Sequence, residues 1–130
     1  RDLHSFPTRR SSDLWNKVAG FSEEFRPGLG SDPDFNMKLW NIGVRLFKGL
    51  SECRVYHFSS ISLRKKAWNN GAKTFLLKWG ISIKFFKKYY LRSDTSFNGL
   101  LNEPTKSFFY YFALLKCKIL YFYLKLLQRF

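Results

Sequence analysis

Residues 28–35, Gly-Leu-Gly-Ser-Asp-Pro-Asp-Phe, constrain the fold more than any other stretch of this chain. The two glycines allow positive φ angles and a close approach of the backbone to a bound group. Pro33 favours the first turn of a helix, where the N–H that proline lacks is not needed. The stretch therefore predicts a loop that ends in a helix over residues 33–42, with Ser31 or Asp32 as its N-cap.

The two carboxylates of this stretch allow three interpretations that their spacing does not separate. Asp32 could be an N-cap alone, or a general base held rigidly between loop and helix. Together with Asp34 it also spells an Asp-x-Asp pair of the kind that binds a metal ion. In each case the positive end of the helix dipole favours ionised carboxylates, and Gly30 would let the backbone approach a substrate.

Apolar residues recur at helical spacing within residues 33–42 and predict the face that packs inward. They are Phe35, Leu39 and Ile42. Gly43 follows as the expected C′ residue, which commonly adopts a left-handed conformation at the end of a helix. A helix of this kind would hold both aspartates at its positive end.

The segments on either side of this helix predict mixed secondary structure. Residues 15–25 are expected to form a short helical turn and a loop, with Phe21 and Phe25 in the core. Residues 44–48 and 53–58 alternate loosely between apolar and polar side chains and predict two strands.

His57 ends the second predicted strand and shares a face with Cys53 and Val55. It could be a half-buried histidine that bonds to the backbone, or a metal ligand. A single histidine does not separate these roles.

Residues 65–91 carry the clearest periodicity in the chain and predict one basic amphipathic helix. Apolar side chains step by three and four along it, at Trp68, Ala72, Phe75, Trp79, Ile83, Phe86 and Tyr90. Lysines cluster on a different side, at Lys66, Lys73, Lys84, Lys87 and Lys88. The apolar stripe is expected to pack on the core, and the lysines to contact anionic lipid headgroups or the phosphates of nucleic acid.

Residues 93–104 are rich in turn-forming side chains and predict a linker, and residues 105–130 predict an apolar helix. The longest apolar run of this helix, residues 108–115, is too short to cross a bilayer, which takes about twenty residues. Lys116 and Lys118 interrupt the helix near its middle. It is expected either to lie in a membrane interface or to pack on an N-terminal half of the protein that would precede this sequence.

The composition restricts the partners and the compartment. The 130 residues carry a formal net charge of +14, which favours anionic partners such as nucleotide diphosphates, phospholipid headgroups or nucleic acid. Cys53 and Cys117 are far apart and form no Cys-x-x-Cys motif, which indicates structural thiols in a reducing compartment.

Residues 1–14 look like the conceptual translation of a sequencing adapter, and they are expected to form a non-native arm without packed structure.

Two runs resemble the latter half of the catalytic domain in family 2 glycosyltransferases. They are residues 18–25, Val-Ala-Gly-Phe-Ser-Glu-Glu-Phe, and residues 30–40, Gly-Ser-Asp-Pro-Asp-Phe-Asn-Met-Lys-Leu-Trp, followed by Gly43. The usual pattern of that family is Gly-Gly-Phe-Asp-Glu, a short loop, Glu-Asp-x-Asp and a helix that ends in Gly. This sequence departs from the pattern at Ala19, Ser22 and Ser31. The resemblance covers roughly residues 15–90.

The resemblance implies the C-terminal part of an α/β domain of the GT-A fold, over residues 15–92. It implies an inverting transfer of a sugar from a nucleotide-sugar donor to a hydroxyl of a glycan or lipid-linked acceptor. The catalytic base of the family matches Asp32, and Asp34 and Gly30 would contact substrate. The histidine that helps to hold a divalent metal, Mg²⁺ or Mn²⁺, matches His57.

Further expectations follow from the same resemblance. Arg64 would contact the donor diphosphate. The nucleotide-binding half of such a domain would precede this sequence, so the chain is expected to be inactive alone. The intact enzyme is expected at the cytoplasmic face of a membrane. The alternative is a small basic protein that coats nucleic acid, which accounts for the charge but gives no reason for Asp32 and His57 in this order.

Overall fold

A computed structural model describes residues 11–26, 29–49 and 70–128. This part of the chain forms five α-helices, namely α1 (Ser11–Lys17), α2 (Ser31–Asn41), α3 (Gly71–Trp79), α4 (Ile83–Phe86) and α5 (Phe108–Leu127). A 3-10 turn, Glu23–Phe25, precedes α2, and a π-helical turn, Lys87–Leu91, continues α4. The described part is therefore rich in helix, and it contains no β-strand.

The α2 helix begins before Pro33 because a glycine backbone, and not a polar side chain, forms its N-cap. Gly30 adopts a left-handed conformation with φ of 92°, and no side chain caps the helix. The C-terminus confirms the prediction, since Gly43 has φ of 89°. The N–H groups of Gly43 and Val44 donate to the carbonyls of Trp40 and Leu39, which is a Schellman motif.

The predicted inward face of α2 is wrong. The buried residues of this helix are Asp34, Met37 and Trp40, whereas Phe35, Leu39 and Ile42 are only partly buried. Phe35 instead packs with Trp15 and Phe21 in a separate aromatic cluster, with ring centroids 5.3 Å apart in both pairs. The helix can turn a carboxylate inward because two other segments supply its hydrogen bonds.

The first described segment differs from its prediction at Phe21. Residues 11–14 of the predicted arm form the first turn of α1, and residues 1–10 lie outside the described part. Phe21 is 50% exposed and is not a core residue, whereas Phe25 is 1% exposed and lies in the core as predicted.

The basic segment forms two helices where the periodicity predicts one. Gly80 ends α3 in a left-handed conformation with φ of 70°. The Ser82 hydroxyl then caps α4, accepting a bond from the N–H of Phe85 at 3.1 Å. The prediction of one helix over residues 65–91 is thus wrong, and residues 65–69 lie outside the described part. The apolar stripe survives the break, because Phe75 and Phe86 are both fully buried.

The α5 helix covers the core with one face and leaves the opposite face exposed. The core consists of Phe25, Met37, Trp40, Phe75, Leu76, Ile81, Phe85, Phe86, Tyr110 and Cys117. Tyr110 and Cys117 belong to α5, which packs on α3 and α4. Among the described residues no helix is long and apolar enough to cross a bilayer.

The strand predicted over residues 44–48 is wrong. Arg45 lies over the ring of Trp40 at 3.9 Å, pairs with Glu103 at 2.6 Å and accepts one backbone bond from Leu101 at 2.9 Å. These contacts attach the irregular segment after α2 to the segment before α5 without forming a ladder of hydrogen bonds. The other predicted strand, residues 53–58, lies outside the described part.

Candidate functional site

Asp34 is fully buried at the N-terminal end of α2 and is bonded from two other segments. Its Oδ2 accepts a hydrogen bond from the Ser22 hydroxyl at 2.6 Å, and its Oδ1 accepts one from the indole N–H of Trp79 at 2.8 Å. The ammonium of Lys78 lies 2.9 Å from Oδ1, and that of Lys38 lies 3.8 Å from Oδ2. The carboxylate therefore joins α2 to α3 and to the turn that precedes α2.

Lys78 is the second centre of this network. Its ammonium also pairs with Glu24 at 2.7 Å and donates to the Ser22 hydroxyl at 2.8 Å. Partial burial alone would lower the pKa of Lys78, but the hydrogen bonds to Glu24 and Asp34 outweigh it and raise that pKa above its ordinary value. The hydrogen bond from Lys78 in turn lowers the pKa of Glu24. Both groups are therefore ionised at neutral pH.

Asp32 has a different environment, although it lies only two residues from Asp34. Its side chain is exposed on the first turn of α2, and no described residue forms an ion pair or a hydrogen bond with its carboxylate. Carboxylates at this end of a helix are stabilised by the dipole and by the free N–H groups. Because it is exposed, the Asp32 carboxylate is accessible to a molecule that approaches the surface.

Two glycines fix residues 29–30, which lead into the helix that carries Asp32. The first residue of α3, Gly71, lies against the backbone of Leu29, and a Cβ on Gly71 would come within 1.8 Å of the Leu29 carbonyl oxygen. A Cβ on Gly30 would come within 2.9 Å of the Phe25 ring and 3.0 Å of the Gly71 carbonyl. The close approach that the sequence predicts at Gly30 is thus an approach to α3 of the same chain.

The Asp32 and Asp34 pair does not fit a metal ion. The oxygens of Asp34 already accept bonds from Ser22 and Trp79 and contact Lys78, so Asp34 offers no free ligand atom beside Asp32. Within the described ranges no group of three or more His, Cys, Asp or Glu side chains could hold a metal ion.

The structure brings together only part of the predicted site. Gly30, Asp32 and Asp34 lie within one helical turn, but substrate contact with Asp34 would require its present bonds to break. The predicted metal ligand His57 and the predicted diphosphate contact Arg64 lie outside the described residues, and their roles stay predictions.

Two of the cavities on the described surface are well defined, and neither is lined by Gly30, Asp32 or Asp34. One, of about 730 Å³, lies between α3, α4 and α5. The other, of about 1010 Å³, lies between residues 46–49 and 91–102, with Asn36 at its edge. The Asp32 side chain is instead exposed on the surface of α2.

Sequence reasoning missed the partners of Asp34. Ser22 appears in the sequence only as a departure from a family motif, and Trp79 only as part of an apolar stripe. The one local signal is the position of Asp34 itself, which shares a helical face with Met37 and Trp40.

Comparisons with protein-family profiles, with curated proteins and with solved structures give no match to this chain.

Proposed function

We propose that this chain is the C-terminal part of an inverting glycosyltransferase with an α/β GT-A domain, in which Asp32 is the general base. The observation that supports this role is the contrast between the two aspartates of α2. Asp34 is buried and saturated with bonds, whereas Asp32 is exposed on the same helical turn. A base must be ionised, accessible and rigidly held, and the Asp34 network supplies the rigidity that Asp32 needs.

In this proposal each residue has a definite task. The Asp32 carboxylate takes the proton of the acceptor hydroxyl while that oxygen attacks the anomeric carbon and the nucleoside diphosphate leaves from the opposite face. Gly30 and Asp34 position the base through their contacts with α3. His57 and Arg64 would face the donor diphosphate, where Mg²⁺ or Mn²⁺ would neutralise the leaving group.

The test uses the complete reading frame and the Asp32→Asn variant. We expect this variant to lower kcat by about 10²-fold to 10⁴-fold, the usual contribution of a general base, while nucleotide-sugar binding changes little. The Glu23→Gln variant is the control, because Glu23 is exposed and its side chain pairs with Arg26. Retained activity in Asp32→Asn would remove Asp32 from the mechanism.

A second measurement concerns the chain as it stands. Without a nucleotide-binding half it should show neither hydrolysis nor transfer with sugar nucleotides. Turnover by the chain alone would contradict the proposed division of the domain.

The outer face of α5 supports a location against a membrane. Large apolar residues, all at least half exposed, recur along it at Phe108, Phe112, Leu115, Ile119, Phe122 and Leu126. Lys116, Lys118 and Lys125 are exposed beside this stripe, and α5 contains no acidic residue. An apolar stripe bordered by lysines favours contact with anionic lipid headgroups, which would place a lipid-linked or envelope glycan near the enzyme.

A further inference from the structure

The cavity between α3, α4 and α5 has an aliphatic floor. Its volume, about 730 Å³, lies within the range of sites that hold small organic ligands. Its apolar lining consists of Ala72, Leu76, Ile83, Leu120 and Leu124. No described aromatic side chain lines it, so the cavity offers no platform on which a nucleobase could stack. The lining suits a flexible aliphatic chain better than a planar ring.

The same cavity is bordered by lysines without carboxylate partners. They are Lys73, Lys84, Lys87 and Lys88, and none of them forms an ion pair with a described residue. Asp94 is the one carboxylate among the described lining residues. Lys78 differs from these four, because Glu24 and Asp34 neutralise it. Positive charge is therefore concentrated around a concave apolar surface, which raises the local concentration of anions.

We infer that this cavity binds an anionic amphiphile, a phosphate group that carries an aliphatic chain. The lysines would donate charge-assisted hydrogen bonds to the phosphate oxygens, and the chain would lie on the aliphatic floor near Leu120 and Leu124. The ligand could be a phospholipid of a bilayer or a free phosphorylated amphiphile. This inference does not depend on glycosyl transfer, because none of the cavity residues belongs to the Asp32 region.

The test measures direct binding to the full chain. The probe is dihexanoyl phosphatidic acid below its micelle concentration, titrated by calorimetry and by ³¹P NMR. Lys84→Gln and Lys87→Gln should each weaken binding by about fivefold or more, through loss of one charged contact. Lys106→Gln is the matched control, since Lys106 is exposed and lies outside the cavity. It should change binding by less than about twofold.

A second variant tests the floor separately from the charges. Leu120 is 46% exposed, so Leu120→Gln should leave the fold intact, which circular dichroism checks. This variant should weaken binding of dihexanoyl phosphatidic acid but not of inorganic phosphate. Inorganic phosphate alone should bind at least about tenfold more weakly than the amphiphile. Dihexanoyl phosphatidylcholine, whose headgroup has no net charge, should not compete.

The measurements distinguish a bilayer lipid from a free amphiphile as the ligand, and they also show whether the cavity binds such a ligand at all. If Lys84→Gln also weakens binding to phosphatidic acid vesicles, the source is a bilayer lipid. If only the soluble probe is affected, the source is a free amphiphile. No binding of dihexanoyl phosphatidic acid would overturn the inference. An equal loss in Lys106→Gln, or phosphate binding as tight as that of the amphiphile, would overturn it as well.

Discussion

At the scale of single residues, the contrast between Asp34 and Asp32 predicts unequal effects on stability. Asp34→Ala leaves Lys78 and the Trp79 indole without their buried acceptor. We expect the free energy of unfolding to fall by about 3 kcal/mol, the lower end for a broken buried pair, because Lys78 is 25% exposed and can regain water. Asp32→Ala should lower it by less than about 1 kcal/mol. Urea denaturation compares them, and a loss below about 1 kcal/mol in Asp34→Ala would show that the bonds to Asp34 contribute little to stability.

The ion pair between Glu24 and Lys78 makes the free energy of unfolding depend on pH in the acid range. Its folded pKa is lowered by Lys78, below the ordinary value of 4.5, so its contribution to stability is complete above about pH 4.5. The contribution is lost as the pH falls through the lowered pKa of the folded state. The difference in unfolding free energy between the natural chain and Glu24→Gln should therefore be positive at pH 7 and shrink towards zero below pH 4.5. Denaturation at a series of pH values measures it; a constant difference would contradict this account.

Whether a residue's role could be predicted depended on the distance in sequence to its partners. The position of Asp32 at the start of a helix follows from its glycine and proline neighbours, which act locally. The partners of Asp34 include Trp79, which is 45 residues away, so no local pattern indicates them. Phe21 and Phe25 have the same sequence signal, but only Phe25 meets α3 and the core.

At the scale of elements, the contact between the first residue of α3, Gly71, and residues 29–30 predicts that Gly71 does not tolerate a side chain. Gly71→Ala would drive a Cβ into the Leu29 carbonyl, and backbone must move to admit it. We expect a loss of about 1–3 kcal/mol in unfolding free energy. Gly43→Ala is the comparison, because a Cβ there meets nothing within 4 Å and the loss of about 1 kcal/mol comes from positive φ alone.

NMR spectroscopy distinguishes Gly71→Ala from Gly43→Ala by a second measurement, the amide chemical shifts at the start of α2. Amide chemical shifts of residues 29–34 should change widely in Gly71→Ala and stay near their natural values in Gly43→Ala. Unchanged shifts in Gly71→Ala would mean that α3 does not fix the loop.

Helix ends were predictable where the signal is local, as at Gly43. The break between α3 and α4 also has local signals, Gly80 and Ser82, but the apolar spacing continues across them. The continuous spacing therefore predicts one helix, although Gly80 ends α3 and Ser82 caps α4. The predicted strand over residues 44–48 failed for another reason: Arg45 bonds with Trp40 and Glu103, and its backbone receives one bond where a ladder would supply several.

At the scale of the whole molecule, the outer stripe of α5 leaves a contiguous apolar surface exposed, which favours contact with a partner or a membrane. A second copy would bring Lys116, Lys118 and Lys125 of each chain against those of the other, which disfavours pairing along this stripe. In the membrane proposal, an anionic bilayer would complement these lysines and cover the apolar residues. The opposite face of α5 is already occupied, because Tyr110 and Cys117 lie in the core.

This asymmetry leads to a prediction for vesicle binding. The double variant Phe112→Ser, Ile119→Ser removes two exposed apolar side chains and should lower partitioning onto phosphatidylglycerol vesicles by at least about tenfold, because each buried side chain is worth about 1.5–3 kcal/mol. Its fold should persist, since both side chains are more than half exposed.

Lys125→Gln should lower binding about fivefold on the same vesicles and leave binding to neutral vesicles unchanged. Flotation measures both, while gel filtration follows self-association. If the double variant changed the oligomeric state and left flotation unaltered, the stripe would be an interface between copies. If oligonucleotides competed with the vesicles, the lysines would serve nucleic acid instead.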